Sequence, residues 1–386
     1  MKEKLIIQNF GPIKHIELDL GIVNVLIGEQ ATGKSTVAKL LAVCRYFSFI
    51  IDSLEFTTRV AKHSFWEGLK AWGLDEAIQS DTSIYYENKD YSYSIKPVKE
   101  ISGYVSHLTP ISSDFKQLIA ELNNTKPKYI VDSLLWEIST SFYENEVKKV
   151  MDNPFYLPTE RGLQSIFSLG RIPNISDSLF NQLAKISQIS QKFSSDTSIE
   201  PLGLSYKNEN NVGKIKKDLN DSYISLNKGA SGYQSAIPVV LLIEYYTEIK
   251  KKKKTFIIEE PEQNLFPSAQ YELVKFLADK VKIHNAILLT THSPYILTSL
   301  NNLMYAYQVG QEHDEVAQVV PKKYWINPKE VSAYMLQYDE ALGGCVQKDI
   351  IDKETFLIDS VQIDGVSDIL SEEFNKLMAL KMGVEI

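Results

Sequence analysis

Three runs near the N-terminus, KLIIQNF, IKHIELDL and IVNVLI, are strand-like in their apolar content and are separated by Gly-Pro and Leu-Gly. They predict a small sheet at the start of the chain. The run TVAKLLAVCRYFSFI follows with apolar residues at helical spacing, which predicts a helix. From about residue 48 to 224 the regularity fades: Ser, Asn, Lys and Tyr are frequent, and DFKQLIAELNN and SLLWEISTSFYENEVKKVM read as helical stretches without long heptads or repeats. An alternating pattern returns from residue 236, with helix AIPVVLLIEYY, strand TFIIEE, helix SAQYELVKFLADKVK, strand AILLTT and helix SPYILTSLNNL. Such alternation predicts an α/β core. The core is therefore expected in two pieces, 1–47 and 225–310, split by an inserted mainly helical lobe over 48–224 and followed by a C-terminal extension over 311–386.

Composition narrows the class. The 386 residues are 44% hydrophobic, enough for a sizeable core, which excludes a disordered scaffold. Lys and Arg number 41 against 49 Asp and Glu, a formal charge of −8, so a chain coated in nucleic acid is not expected, although a local basic groove is compatible with it. The five lysines 250–254 read as a solvated turn before a strand. Cys44 and Cys345 lack metal-ligand spacing and are expected to be reduced and structural. With no secretory pattern at MKEKLIIQNF and no apolar run near 18 residues, the expectation is a cytoplasmic protein without a membrane span.

Candidate chemistry begins at GEQATGKST, residues 28–36. Gly28, four residues and then Gly33-Lys34-Ser35 fit a phosphate-binding loop, placed as that motif requires between a strand and a helix N-terminus. Backbone N–H groups and the positive end of a helix dipole converge there on an anion. Gly28, Glu29, Gln30, Ala31, Thr32, Gly33, Lys34, Ser35 and Thr36 are thus expected to bind a nucleotide, with Lys34 on the β- and γ-phosphates and the Ser35 hydroxyl on Mg²⁺. A second site is TFIIEEPEQNLFP, where Glu259 and Glu260 end a strand. Two adjacent carboxylates at a strand end are costly without a cation, and a magnesium nucleotide supplies one. Glu259 is expected to hold Mg²⁺ through water and Glu260 to deprotonate the attacking water. In AILLTTHSPYI, His292 ends a third strand; taken alone it reads as structural, and beside the other two segments its imidazole is a candidate to hydrogen-bond the γ-phosphate.

These three segments, in this order, resemble the ABC-type ATPase head of the RecF, SMC and OLD lineage, over roughly residues 1–47 and 225–310. The resemblance implies an ABC-type P-loop fold that closes as a homodimer, or a higher homo-oligomer, over two ATP molecules. Each ATP would be sandwiched between one subunit's phosphate loop and its partner's signature segment. Ser231-Gly232-Tyr233-Gln234 resembles that signature, with Ser231, Gly232 and Gln234 as its nucleotide contacts and Tyr at a position where the family has Gly. Glu259 likewise stands where much of the family has Asp. NPFYLPTERG, residues 153–162, resembles a Pro-Ala-Glu-Arg element of bacterial members, with no role assigned to Glu160 or Arg161.

OLD-type relatives also carry a metal nuclease that needs an Asp-x-Asp pair. Residues 311–386 contain none, so no nuclease activity is expected of this chain. Two functions follow from the resemblance. One is an ATP-driven clamp acting on DNA in repair or anti-phage defence, together with an effector protein encoded nearby. The other is an ATP-gated sensor scaffold, similar to ATPase subunits of anti-phage systems such as PARIS or Septu, which holds and releases a toxic partner without touching DNA.

Overall fold

The structure is a computed structural model and describes residues 3–45, 68–98, 103–113, 116–117, 155–162, 177–217, 222–251, 254–281, 285–359, 372–374 and 376–378. The chain opens with β1 (Glu3–Phe10), β2 (Ile13–Leu20), β3 (Val23–Gly28) and α1 (Lys34–Arg45). Then come β4 (Ile78–Glu87), β5 (Tyr91–Val98), β6 (Gly103–Pro110), β7 (Phe155–Leu157) and α2 (Asp177–Ser190). The strands β8 (Thr197–Ile199), β9 (Leu204–Glu209), β10 (Val212–Lys217) and β11 (Ile224–Ser225) precede α3 (Ser231–Glu244). The remaining elements are β12 (Thr255–Glu259), α4 (Pro267–Lys280), β13 (Ala286–Thr291), α5 (Pro294–Val309), α6 (Val316–Val319), β14 (Val331–Asp339) and β15 (Gly344–Asp349).

Eleven strands form one sheet in the order β6-β5-β4-β1-β2-β15-β14-β3-β13-β12-β7, and β11-β10-β9-β8 form a second. Five neighbours of the large sheet, β14, β3, β13, β12 and β7, run parallel. Central parallel strands are covered on both faces, which explains their unbroken apolar sequences: β13 is buried at every position and β3 at all but Gly28. Alternation of side chains across the pleat then sorts them into two cores. Val23, Val25 and Ile27 of β3, Phe256 and Ile258 of β12, and Ile287 and Leu289 of β13 face α2, α3, α4 and α5. Leu26, Ile257 and Leu288 face α1 and the antiparallel strands. The antiparallel end shows the expected alternation instead, with Leu5 and Ile7 of β1 buried.

The α/β fold class and the order of strands and helices expected around the phosphate loop are those observed. The described residues of the expected mainly helical 48–224 are largely strands, β4–β7 in the large sheet and β8–β11 in the second, with α2 among them. Two of the placements in the large sheet bear on the site. β4–β6, within 48–224, continue the N-terminal sheet beyond β1. Their inward positions include Thr82, Tyr86, Tyr91 and Tyr93, whose polar atoms disguise the alternation. β14 and β15, within the expected extension 311–386, lie in the middle of the sheet between β2 and β3. The helices expected at DFKQLIAELNN and SLLWEISTSFYENEVKKVM fall outside the described residues except for Lys116 and Gln117. Among the described residues no helix is long and apolar enough to cross a membrane. Cys44 and Cys345 are both free and buried.

Candidate functional site

The site lies at the carboxyl ends of the parallel strands, where open α/β sheets collect ligands. β3 ends at Gly28, paired with Leu336 of β14. A Cβ on Gly28 would come within 2.2 Å of the Leu336 carbonyl oxygen, so this close backbone approach requires glycine. Gly33, at φ +90°, sits against Pro12 and Ile13 of the β1–β2 turn. The loop between them is held from inside: Thr32 Oγ1 donates to the Glu29 carbonyl at 2.8 Å, and Lys34 Nζ donates to the carbonyls of Gly28 (2.9 Å) and Glu29 (2.7 Å). Glu29, Gln30, Ala31 and Ser35 are exposed, Gly28 and Thr36 half-buried, and Thr32, Gly33 and Lys34 buried. Burial lowers the Lys34 pKa, and the carboxylates of Glu260, Glu262 and Glu259 act against that shift. The three acids therefore lie within electrostatic reach of the lysine, whose hydrogen bonds go to the loop.

β12 delivers those acids. Glu259 is paired with Thr290 of β13 and is only 3% exposed, and its Oε1 is buried without a hydrogen-bond partner among the described residues. Beside it lies Tyr156 of β7, whose phenol is pushed well above its usual range by burial first and then by Glu259. The Tyr156 hydroxyl is itself buried without a partner and within hydrogen-bonding reach of the carboxylate, so that oxygen is open to the phenol, an ordered water or a cation. Among the described residues no three His, Cys, Asp or Glu side chains gather as a complete metal cage. That donor set suits Mg²⁺, which takes one or two protein ligands and completes its shell with water and phosphate oxygens. Glu259 and the exposed Ser35 hydroxyl would hold it, and when bound it would neutralise charge on the β- and γ-phosphates.

Glu260 leaves the strand at φ +42°, a left-handed conformation that is uncommon outside glycine. Its N–H donates to the Thr290 carbonyl at 2.8 Å, and its Oε1 lies 3.7 Å from His292 Nε2. Both side chains remain about one-third exposed, accessible to water and a ligand. The sequence reading did not single out Glu262. Its Oε1 accepts from Thr291 Oγ1 at 2.6 Å and from the His292 N–H at 2.9 Å, so it fixes the end of β13 and thereby the histidine. The signal was present in PEQNLFP, where a third acid follows the carboxylate pair.

The structure thus gathers Lys34, Glu259, Glu260 and His292 at one sheet end. Ser231 joins none of these contacts. It is exposed at the N-terminus of α3, where Gly232 packs so closely on the Asn264 carbonyl that a Cβ would lie 2.6 Å from it. Gln234 is turned back, donating to the Gly229 carbonyl at 2.9 Å. Arg161, which follows β7, is fully buried and bonds the carbonyls of both Glu259 and Glu260 at 2.6 Å. Burial lowers its pKa to about 10.

A lysine enclosed by a strand-to-helix loop, facing acids from a strand two places along the same parallel sheet, is the arrangement of a P-loop nucleoside triphosphatase. The chain belongs to the AAA ATPase domain family, which it matches over residues 74–297, and ATP binding and hydrolysis are the activity of that class. An OLD nuclease from Thermus scotoductus is 23% identical over 347 residues, 82% of this chain and 63% of its own length. The chain therefore spans less than two-thirds of that relative. The SMC head domain from Thermotoga maritima is 10% identical with a TM-score of 0.40, covering 90% of this chain and 98% of its own. An Smc head domain bound to the C-terminal domain of ScpA, derived from Pyrococcus furiosus, is 10% identical with a TM-score of 0.44, covering 96% and 98%.

Proposed function

We propose that this chain binds ATP with Mg²⁺ on the loop Gly28–Thr36 and hydrolyses it with Glu260 as general base, closing head to head on a second copy as it does so. The observation that carries this reading is the convergence of Lys34, Glu259, Glu260 and His292, with an unbonded Glu259 oxygen buried among them. Lys34 exchanges two loop carbonyls for phosphate oxygens when the nucleotide arrives. Glu260 accepts a proton from the attacking water, and His292 beside it donates to a γ-phosphate oxygen. Ser231, Gly232 and Gln234 belong to the face that meets the partner's nucleotide.

ATP turnover is proposed to serve DNA repair or anti-phage defence through a separate effector protein, within the cytoplasm. Similarity to an OLD nuclease supports a nucleic-acid context. The test is phosphate release by the purified chain with Mg²⁺ present or chelated, with and without linear DNA. Magnesium-dependent release that rises on adding DNA is the expected result. Release without magnesium contradicts the site, and magnesium-dependent release indifferent to DNA favours the scaffold that holds a partner without touching DNA.

A further inference from the structure

Four parallel strands end at the site, and the fourth, β7, brings Pro158–Gly162 to it. From this segment Arg161 projects inward with none of its surface exposed. Among the described residues its hydrogen bonds go to main-chain carbonyls alone. Nε donates to Ser235 at 2.8 Å, Nη1 to Pro158 at 3.0 Å and to Glu259 at 2.6 Å, and Nη2 to Glu260 at 2.6 Å. A planar guanidinium with donors in a fixed fork can span such a set, whereas a lysine offers one nitrogen.

The acceptors belong to two functional elements. Glu259 and Glu260 end β12, while Ser235 lies one turn into α3, where its hydroxyl donates to the Ser231 carbonyl at 3.1 Å and accepts from Asn264 Nδ2 at 3.3 Å. Glu260 is the strained member, at φ +42°. A strained residue persists where its surroundings over-determine it. Here the N–H is held by the Thr290 carbonyl at 2.8 Å, and the carbonyl by Arg161 and by the Gln263 N–H at 3.0 Å. Removing Arg161 frees one side of this clamp and leaves the carbonyls of Glu259 and Ser235 without that donor.

The geometry points to Arg161 as a positioning residue that fixes the backbone of Glu260 and ties it to the N-terminal part of α3 at Ser235, so that Glu260 is aimed only while α3 is seated. This rests on Glu260 being the general base. Because α3 also carries Ser231, seating of the signature helix and alignment of the base become one event.

The test compares Arg161→Lys, in the full chain, with the parent and with Glu260→Gln. Arg161→Lys is expected to bind a fluorescent ATP analogue within about threefold of the parent while kcat falls roughly tenfold or more. In the Glu260→Gln background the same substitution should slow residual turnover no further, since both act through one group. Parental kcat in Arg161→Lys overturns the proposal, as does the same slowing factor with and without Glu260. Should Arg161→Lys not fold, Arg161→Ala decides: guanidinium at non-denaturing concentration should restore turnover, and a folded, ATP-binding variant that it leaves inactive overturns the proposal. Full activity of Glu260→Gln alone would instead strike the assignment of the base, and is read without Arg161 variants.

Discussion

In the proposed function Lys34 holds the nucleotide and Glu260 reacts, and substitutions separate the two. Lys34 is the loop's own cation, so Lys34→Ala should abolish binding of a fluorescent ATP analogue while the circular dichroism spectrum is unchanged. Undiminished binding would remove the loop from the site. Glu260→Gln keeps shape and loses basicity, so hydrolysis should fall roughly 10²-fold with ATP still bound, as seen by nucleotide retention on gel filtration. If Glu259→Gln traps ATP and Glu260→Gln turns over normally, the two roles are reversed. These residues were legible in the sequence because each sits in a short run whose spacing carries its chemistry. Glu262 and Arg161 both lie in runs that the sequence offers, but their roles were not legible, for a physical reason. Their partners are a hydroxyl, an N–H and main-chain carbonyls brought together from distant segments, and such pairings leave no local pattern.

Elements around the site are tied together by polar groups as well as by apolar packing. Arg45, at the end of α1, donates from Nε and Nη2 to Glu3 of β1 at 2.6 and 2.5 Å, and Tyr86 of β4 donates to the same carboxylate at 2.6 Å. Arg45 and Glu3 are 6% and 3% exposed, so this pair fastens the phosphate-loop helix to the N-terminal strands from within. Breaking one partner of a buried ion pair leaves the other charge uncompensated, which costs about 3–5 kcal/mol. Glu3→Gln is therefore expected to lower the denaturant midpoint markedly, and an unchanged midpoint would show that the tie adds nothing. The strands β3, β12 and β13 were readable as continuous apolar runs. β14 and β15 were assigned to an extension because nothing local in them tells that they enter the sheet beside β3, a pairing set by long-range register.

At the scale of the whole molecule, the proposed function has one chain surround the nucleotide from the loop side only. Lys34, Glu259, Glu260 and His292 form that side, while Ser231 stands exposed at the start of α3. Charge developing on a transferring phosphoryl group is best stabilised by preorganised donors in a site closed to water. A second copy placing its Ser231 and helix N-terminus against the γ-phosphate would supply both. The phosphate loop, the paired acids and the histidine were readable as local runs; the proposed assembly was read only from the resemblance of Ser231-Gly232-Tyr233-Gln234 to a signature segment, because an interface depends on two surfaces. Mixing two inactive variants, Lys34→Ala and Ser231→Arg, tests this account most directly, since a mixed dimer has one composite site with both Lys34 and Ser231 intact. Recovery of part of the parental phosphate release on mixing is the predicted result. No recovery, with specific activity of the parent constant down to high dilution, would show that each chain hydrolyses ATP alone.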